Sequence, residues 1–240
     1  MPSSPTAVPQ VAWVGGHALR VRPAAPSEDG RGEQVHALCA ALAEARIEGV
    51  LDLVPAWESL LVVLDEHAAG LEQVEAEVVR VLAGAGLAAG KPAATRTHVL
   101  PVCTCAACAP DRDEVARAAG LDAREVGARL LAPTYVVQML GFTPGFPYLR
   151  GLDEGLRVPR LPSPRREVPA GSVAVAGAQA GIYPAATPGG WRLLGRTPHR
   201  LFDASQSPCA ALAAGDRVRL QQVTHEEAWP AAAPGPAGRR

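Results

Sequence analysis

Hydrophobic and polar positions in the first half of the chain switch between the two-residue period of strands and the spacing of helices. Leu19 and Val21 alternate with arginines, a pattern typical of a half-buried strand. Apolar residues then recur at helical spacing over 35–45 and again over 71–82. We therefore predict one strand followed by two amphipathic helices, the first of which can end in a left-handed residue at Gly49.

The remaining apolar runs of this half predict how the helices are joined. The runs 50–54 and 59–64 are separated by four residues, so they can pair as a hairpin. A further apolar run, 97–102, can return as a strand. The resulting order β-α-β-β-α-β is that of a ferredoxin-like α/β unit.

The second half of the pattern begins with two short helices. Asp111 precedes Glu114 by three residues and Asp122 precedes Glu125 by three, so each aspartate is predicted to cap a first helical turn. Beyond residue 133, short apolar runs are broken by glycine and proline, a pattern that predicts an all-β barrel or sandwich with long loops. These runs are 135–140, 172–176, 191–194 and 216–223.

These patterns divide the chain near 86–95. We expect an N-terminal tail over 1–10, an α/β domain over 11–92, a β-barrel domain over 93–225 and a disordered tail over 226–240, the last because it is rich in Ala, Pro and Gly. The predicted fold class is thus α+β.

Composition excludes some classes of function. The formal net charge of −1 argues against nucleic acid as the main partner, because phosphate binding needs a basic surface. The uncharged stretch 168–191 contains three prolines and cannot be a membrane-spanning helix. Without a secretory signal or a disulfide pattern among five cysteines, we expect a cytoplasmic protein that does not bind membranes.

Three cysteines lie within six residues, in the sequence CTCAAC. Cys103, Cys105 and Cys108 could hold zinc, with His98 or Cys209 as the fourth ligand. The alternative is three reduced thiols at the end of a strand. Because no second CxxC pair follows at zinc-finger spacing, we favour the thiols and expect neither a metal nor a tightly bound cofactor in this chain.

The segment 141–203 has the composition of a ligand-binding surface. Glycine lets backbone N–H groups approach a ligand, and proline stiffens the loops that present them. Gln179 offers both a donor and an acceptor to an amide. Four arginines offer planar forks for carboxylate or phosphate: Arg160, Arg165, Arg166 and Arg196. The alternative is that glycine and proline form turns, the aromatic residues fill a core and the arginines are solvated.

The same segment carries a resemblance to a known family. Its blocks resemble, in the expected order, the motifs of the B-type subunit of bacterial 5-oxoprolinase, also called allophanate hydrolase subunit 1 or Kip-type kinase inhibitor. The resemblance extends over roughly 11–223. The blocks are GFTPGFPYL (141–149), VPRLPSPRREVPAGSVAVAG (158–177), QAGIYP (179–184), PGGW (188–191), GRTP (195–198) and LFD (201–203).

The resemblance implies a cyclophilin-like barrel of the carboxyltransferase type and a role in a hydrolase complex. With a protein like the C-type oxoprolinase subunit and a third subunit, such proteins open the cyclic amide 5-oxoproline to L-glutamate with ATP, and Mg²⁺ is expected with ATP at the level of the complex. The isolated chain would then show little turnover. Alternatives within the family are an inhibitor of a sensor histidine kinase and a subunit of the allophanate hydrolase or urea carboxylase system.

Composition and resemblance together suggest roles for individual residues. Arg165 or Arg160 would clamp an anionic group, and Arg196 is a candidate for phosphate. Gln179 and the N–H groups around Gly177 and Gly181 would polarise the carbonyl. Tyr148 and Tyr183 would shape the pocket. No catalytic residue is assigned, and Gln179 and Arg165 are the best candidates.

The chain also departs from the family pattern. Relatives often carry His-Ser or His-Thr five residues before Tyr135, where this sequence has Leu130 and Leu131. Ala180 stands where threonine is usual. The first difference removes an imidazole and the second removes a hydroxyl.

Overall fold

The computed structural model describes residues 8–67, 70–84 and 95–230. These residues form two compact units that divide between Arg96 and Thr97, with Gln138–Leu140 grouped with the first unit. The predicted boundary between residues 92 and 93 lies outside the described residues. None of the described helices combines the length and apolar composition needed to cross a bilayer.

The first unit is an antiparallel sheet with two helices. The strands follow the order β1-β2-β4-β3 across the sheet, and each neighbouring pair is antiparallel. The elements are β1 (Gln10–Val14), β2 (Ala18–Arg22), α1 (Glu28–Ala45), β3 (Val50–Pro55), β4 (Leu60–Leu64) and α2 (Leu71–Gly84).

The topology of this unit confirms part of the predicted order. Strand β4 lies between β2 and β3, which are joined through α1, as in a split β-α-β unit. The prediction of 97–102 as the last strand of this unit is wrong, since Thr97–Val102 pairs with a strand of the second unit. The outer edge of β2 is instead covered by β1, which a turn at Gly15 (φ 60°) folds back onto it.

The core of the first unit contains the apolar positions that the periodicity indicates. Leu19 and Val21 from β2 are fully buried, and the two helices add residues at the expected spacing. These are Val35, Leu38, Leu42, Val74, Val78 and Leu82. Gly49 does not end α1, because the chain already turns at Arg46, which takes the left-handed conformation at φ 45°.

The second unit contains nine strands and three α-helices among the described residues. Its elements are β5 (Thr97–Val102), α3 (Arg112–Ala119), α4 (Ala123–Leu131), β6 (Thr134–Leu140), β7 (Pro147–Arg150), β8 (Arg165–Val168), β9 (Ser172–Ala176), β10 (Gln179–Ile182), β11 (Thr187–Gly189), β12 (Arg192–Arg196), β13 (Arg217–Gln222) and α5 (His225–Ala228).

Seven of these strands form a nearly closed barrel. Their order is β12-β9-β10-β7-β6-β13-β5, and β11 pairs separately with β8. Cys103 and Arg196 join the two outer strands through reciprocal N–H···O bonds of 2.9 Å. The predicted α+β class with a barrel in the second half is therefore confirmed.

The predicted helix caps differ in outcome. Asp122 accepts hydrogen bonds from the backbone N–H groups of Arg124 and Glu125 at 2.7 and 2.8 Å, as expected. Asp111 precedes α3, but its side chain does not cap that helix. Its carboxylate instead accepts from the N–H of Leu193 and from Arg165, at 2.7 and 2.6 Å.

The C-terminal tail predicted from residue 226 begins later in the structure. Residues His225–Ala228 form α5, in which Thr224 and Glu227 make a reciprocal capping box. Ala228 is buried against cysteines 103 and 108. The composition of the segment pointed to disorder because it does not show this local cap or the contact with distant cysteines.

Candidate functional site

Five aromatic rings converge around Phe146. The ring centroids of Tyr148, Tyr183 and Trp191 lie 5.0, 5.1 and 5.7 Å from that of Phe146, at steep angles typical of edge-to-face contacts. Phe142 lies 5.5 Å away on the outside. We call Phe142, Phe146, Tyr148, Tyr183 and Trp191 the aromatic cluster.

The cluster has a buried base and a more exposed rim. Tyr183 and Trp191 are 2% and 5% exposed, so they belong to the core, as the alternative interpretation of the aromatic residues required. Tyr148 is half-buried. Phe142 is 61% exposed and adopts φ 66°, a conformation that side chains other than glycine rarely adopt. The accessible ring surface is therefore that of Phe142 and Tyr148.

Two glycines leave the space that the rings occupy. A Cβ atom on Gly181 would lie 2.7 Å from Phe146 and 3.0 Å from Trp191. A Cβ atom on Gly189 would lie 2.4 Å from the Tyr183 hydroxyl oxygen. These glycines serve close packing, whereas the sequence suggested an approach of the Gly181 backbone to a ligand.

Two of the predicted arginines lie at the cluster. The guanidinium carbon of Arg160 is 5.8 Å from the Trp191 ring centroid, a distance suited to a cation–π contact. Arg165 donates to the carbonyl oxygen of Trp191 at 3.4 Å and to the buried Asp111 carboxylate at 2.6 Å. Arg160 is exposed, so its charge faces solvent, while that of Arg165 is largely balanced by Asp111.

Sheet register places Gln179 beside these residues. Gln179 and Gly181 share one face of β10, because alternate residues of a strand point the same way. Gly181 pairs directly with Tyr148 across β7. Gly177 lies at the β9–β10 turn, and its N–H already donates to the Val158 carbonyl at 2.8 Å, so it has no donor left for a ligand.

Arg196 lies elsewhere. It is the last residue of β12, and its Nε donates to the Ala170 carbonyl at 2.9 Å. Its guanidinium carbon stands 5.2 Å from the ring centroid of Trp229. The structure therefore groups Arg160, Arg165, Tyr148, Gln179, Gly181 and Tyr183 and separates Arg196 from them.

Burial favours the protonated form of both tyrosines in the cluster. It raises the pKa of the Tyr148 hydroxyl, and Arg160 opposes this shift. It also raises the pKa of Tyr183, against a hydrogen bond from the Trp191 backbone and the charges of both arginines. Both hydroxyls are therefore neutral at physiological pH, and that of Tyr148, on the rim, can donate to a ligand oxygen.

Asp111 is the functional side chain that sequence reasoning missed. Its spacing from Glu114 suggested a helix cap, but it is 5% exposed and holds Arg165 and β12 in place. A buried aspartate near an arginine-rich segment is the sequence feature that pointed to this role. The arrangement as a whole offers one exposed cation, one neutral donor and one amide around a flat apolar floor, which suits a small ring bearing a carboxylate.

A second group of reactive side chains lies where the barrel closes. Cys103, Cys105, Cys108 and His225 place their ligand atoms within 4.8 Å of one another. The fourth ligand suggested by the sequence is wrong in both forms. His98 contacts Asp216 at 2.9 Å, and the Cys209 sulfur lies 3.1 Å from the Gln206 carbonyl oxygen.

The three thiols differ in acidity. Burial raises the pKa of Cys108 to about 12. Burial acts in the same direction on Cys105, but hydrogen bonds from Cys103 and Cys108 and from backbone N–H groups lower its pKa to about 7. The group thus holds one thiol that ionises readily beside others that do not.

Comparison with known proteins decides the family. A model of the carboxyltransferase domain, subdomain C and D, matches residues 9–212 of the chain. The chain belongs to this carboxyltransferase-domain family. The resemblance to the B-type subunit of 5-oxoprolinase is confirmed by relatives that are named as that subunit.

Relatives of this carboxyltransferase domain include proteins from several bacteria. The B-type 5-oxoprolinase subunit of Bacillus subtilis is 35% identical over 228 residues, which cover 91% of this chain and 94% of the relative. That of Escherichia coli O157:H7 is 47% identical over 121 residues, or 50% of this chain and 56% of the relative. These relatives are named as subunits of a hydrolytic enzyme.

Solved structures show the same fold. TTHA0988 is 35% identical with a TM-score of 0.71 over 92% of this chain, which spans only 40% of that longer protein. PH0987 from Pyrococcus horikoshii is 35% identical with a TM-score of 0.55 and is covered in full. The Kluyveromyces lactis urea carboxylase, at 19% identity and a TM-score of 0.72 over 94% of this chain and 23% of its own, shares the fold.

Proposed function

We propose that this carboxyltransferase domain is the B-type subunit of a cytoplasmic, ATP-dependent 5-oxoprolinase that opens 5-oxo-L-proline to L-glutamate. The observation that carries the proposal is the grouping of Arg160, Tyr148 and Gln179 around the aromatic floor. The near full-length match to a relative named as the B-type 5-oxoprolinase subunit supports it.

The chemistry requires activation of a poor electrophile. The lactam nitrogen donates into its carbonyl, so water alone opens the ring slowly. Transfer of the γ-phosphoryl group of Mg²⁺-bound ATP to the carbonyl oxygen would release ADP and weaken that donation. Water then adds to the carbon, the C–N bond breaks with proton transfer to nitrogen, and phosphate leaves. The site must hold the substrate carboxylate and stabilise negative charge on the carbonyl oxygen.

The structure favours Arg160 over Arg165 as the carboxylate clamp. Arg160 is exposed and stacks on Trp191, so its fork can reach a bound ring on the aromatic floor. Arg165 already forms a 2.6 Å pair with Asp111. We assign Arg165 to positioning, because it connects the Trp191 carbonyl with Asp111.

Gln179 and Tyr148 are suited to the carbonyl. A neutral tyrosine hydroxyl and an amide N–H both donate, and donors aimed at a developing oxyanion contribute more to the transition state than to the ground state. Gly181 lies between them in the sheet and keeps the space above Phe146 open for the ring.

The proposal also assigns partners. We propose a protein like the C-type oxoprolinase subunit and a third oxoprolinase subunit as partners, because the described residues offer an anion clamp and donors but no phosphate-binding loop of the Walker type occurs in the sequence. The separation of Arg196 from the cluster removes the phosphate candidate within this site. We expect glutamate release only when the partner subunits, ATP and Mg²⁺ are all present.

The test uses the reconstituted complex. Arg160→Ala and Gln179→Ala should each lower glutamate formation from 5-oxoproline at least tenfold, with the complex still assembling. Arg157→Ala is the matched control, because Arg157 is an exposed arginine of the same segment that pairs with Glu154 at the surface. Wild-type turnover in both test variants would remove these residues from the site.

The same assay tests the function as a whole. Failure of the wild-type complex to release glutamate would reject the oxoprolinase role, and activity on urea or allophanate, or inhibition of a sensor histidine kinase, would replace it. Robust turnover by the isolated chain would contradict the proposed need for partners.

A further inference from the structure

The cysteine–histidine group, which we call the thiol cluster, consists of Cys103, Cys105, Cys108 and His225. It lies at the seam of the barrel, since Cys103 forms the bridge to Arg196 that joins the two outer strands. His225 is the first residue of α5 and is 117 positions from Cys108. The proposed oxoprolinase chemistry uses none of these four side chains.

We propose that Cys103, Cys105, Cys108 and His225 form a structural zinc site. Zinc prefers four tetrahedral sulfur and nitrogen ligands, with Zn–S near 2.3 Å and Zn–N near 2.0 Å. A tetrahedron of that size needs ligand atoms about 3.5–3.8 Å apart. The Nδ1 atom of His225 lies 3.6 Å from the Cys108 sulfur and 3.9 Å from the Cys105 sulfur.

The remaining ligand distances are within reach of the same geometry. All four ligand atoms lie within 4.8 Å of one another, so binding requires a contraction of about 1 Å at most. Side-chain rotation alone covers such a distance for a thiol. The spacing Cys105-x-x-Cys108 is also one that zinc sites commonly use.

The backbone between the two closest cysteines supports a metal-bound sulfur. The N–H groups of Cys108 and Ala109 both donate to the Cys105 carbonyl, at 2.9 and 2.8 Å, which forms a tight turn. In this turn the N–H groups of Ala107 and Cys108 face the Cys105 sulfur. N–H donors of this kind stabilise the negative charge of a coordinated thiolate.

Neighbouring side chains hold the imidazole in place. The Trp229 ring lies 4.9 Å from the His225 ring, and Arg196 lies over the other partner of this stack. Because Nδ1 faces the sulfurs, His225 would bind the metal through Nδ1. A hollow of ≈ 490 Å³ lined by Cys103, Cys105 and His225 gives an ion access from solvent.

Four protein ligands make this a closed site. Catalytic zinc keeps one position for water or substrate, and here the protein fills all four. The role is therefore structural: the ion would tie α5 to the loop after β5 and stabilise the seam of the barrel. This proposal replaces the expectation, drawn from the sequence, that the chain holds no metal.

The first test is the metal content of the intact protein. The full chain, purified without chelator and without a histidine tag, should contain about one zinc per chain by mass spectrometry of the elements. Cobalt(II) added to the chelator-treated protein should give sulfur-to-cobalt charge-transfer bands and the visible bands of a tetrahedral ion. Neither measurement depends on activity.

Variants assign the ligands. Cys105→Ser and His225→Ala should weaken zinc binding by more than the ~100-fold that loss of an outer-sphere partner costs. Cys209→Ser is the matched control, because Cys209 is an exposed cysteine away from the cluster, and it should retain full zinc content. His225→Cys should restore binding, since four cysteines also form a zinc site.

The proposal fails on any of three results. Wild-type protein without zinc that also gives no cobalt bands would overturn it, as would full zinc content in both ligand variants. A disulfide between two of the three cysteines in protein purified under reducing conditions, detected as a loss of two mass units, would overturn it as well.

Discussion

The aromatic cluster and the thiol cluster lie at opposite ends of β12, and they are built in different ways. Trp191 immediately precedes this strand, and Arg196 is its last residue. The aromatic cluster draws its five rings from a continuous segment, 142–191, and neighbouring strands bring them together. The thiol cluster joins three residues of one loop to a histidine from the other end of the unit. A local motif thus builds the first site, and the closure of the barrel builds the second.

The largest expected effect comes from the residue that joins β12 to the aromatic cluster. Asp111→Ala should lower the free energy of unfolding by about 2–4 kcal/mol, because it leaves the buried N–H of Leu193 and the guanidinium of Arg165 without their acceptor. Urea denaturation measures this loss. Asp113→Ala, which removes an exposed aspartate two residues away, should change stability by less than about 0.5 kcal/mol. Equal effects would show that Asp111 does not support the cluster.

The next effect tests whether glycine shapes the aromatic floor. Gly189→Ala should destabilise the protein by about 1–3 kcal/mol, because its Cβ atom would lie 2.4 Å from the Tyr183 oxygen. Gly190→Ala is the neighbouring control, since its Cβ atom would make only ordinary contacts at 3.7 Å and beyond. Thermal unfolding of the two variants should separate them by several degrees. A Gly190 variant as unstable as the Gly189 variant would show that strand pairing rather than ring packing limits this position.

Metal removal should act on the thiol cluster alone. Treatment with a zinc chelator should increase amide hydrogen exchange in α5 and in the loop 103–111, because both lose their shared anchor. The segment 179–191 of the aromatic cluster should keep its protection. Uniform loss of protection in both regions would show that the two ends of β12 unfold together.

The smallest effect on stability is expected from Arg160. Arg160→Ala should cost no more than about 0.5–1 kcal/mol, because the side chain is exposed and loses only its contact with Trp191. The same variant should lower oxoprolinase turnover at least tenfold. This split between stability and activity distinguishes a ligand-binding arginine from a packing one. A large loss of stability would assign Arg160 to the core instead.

Periodicity predicted the elements of the fold better than their partners. The positions of β2, α1, β3, β4 and α2 agree with the apolar spacing, because burial on one face dictates that spacing. Residues 97–102 were also recognised as a strand. Their alternation shows one buried face but does not indicate which strand they pair with, so the parallel pairing with β13 was missed.

The candidate sites show the same distinction. Arg160, Arg165, Tyr148 and Gln179 could be grouped in advance, since they occur within one short segment. Arg196 was wrongly added because it is close to them in sequence, although β12 carries it to the other end of the barrel. His225 was not recognised as a partner of the cysteines, because only the return of β13 beside β5 brings it there.

The bridge between Cys103 and Arg196 has a consequence for the behaviour of the protein at high concentration. A sheet that ends in unpaired strands offers its free N–H and C=O groups to any passing chain. Here a single residue pair engages the ends of β5 and β12. Separating that pair would expose two adhesive edges at once, so self-association would begin at this point of the molecule.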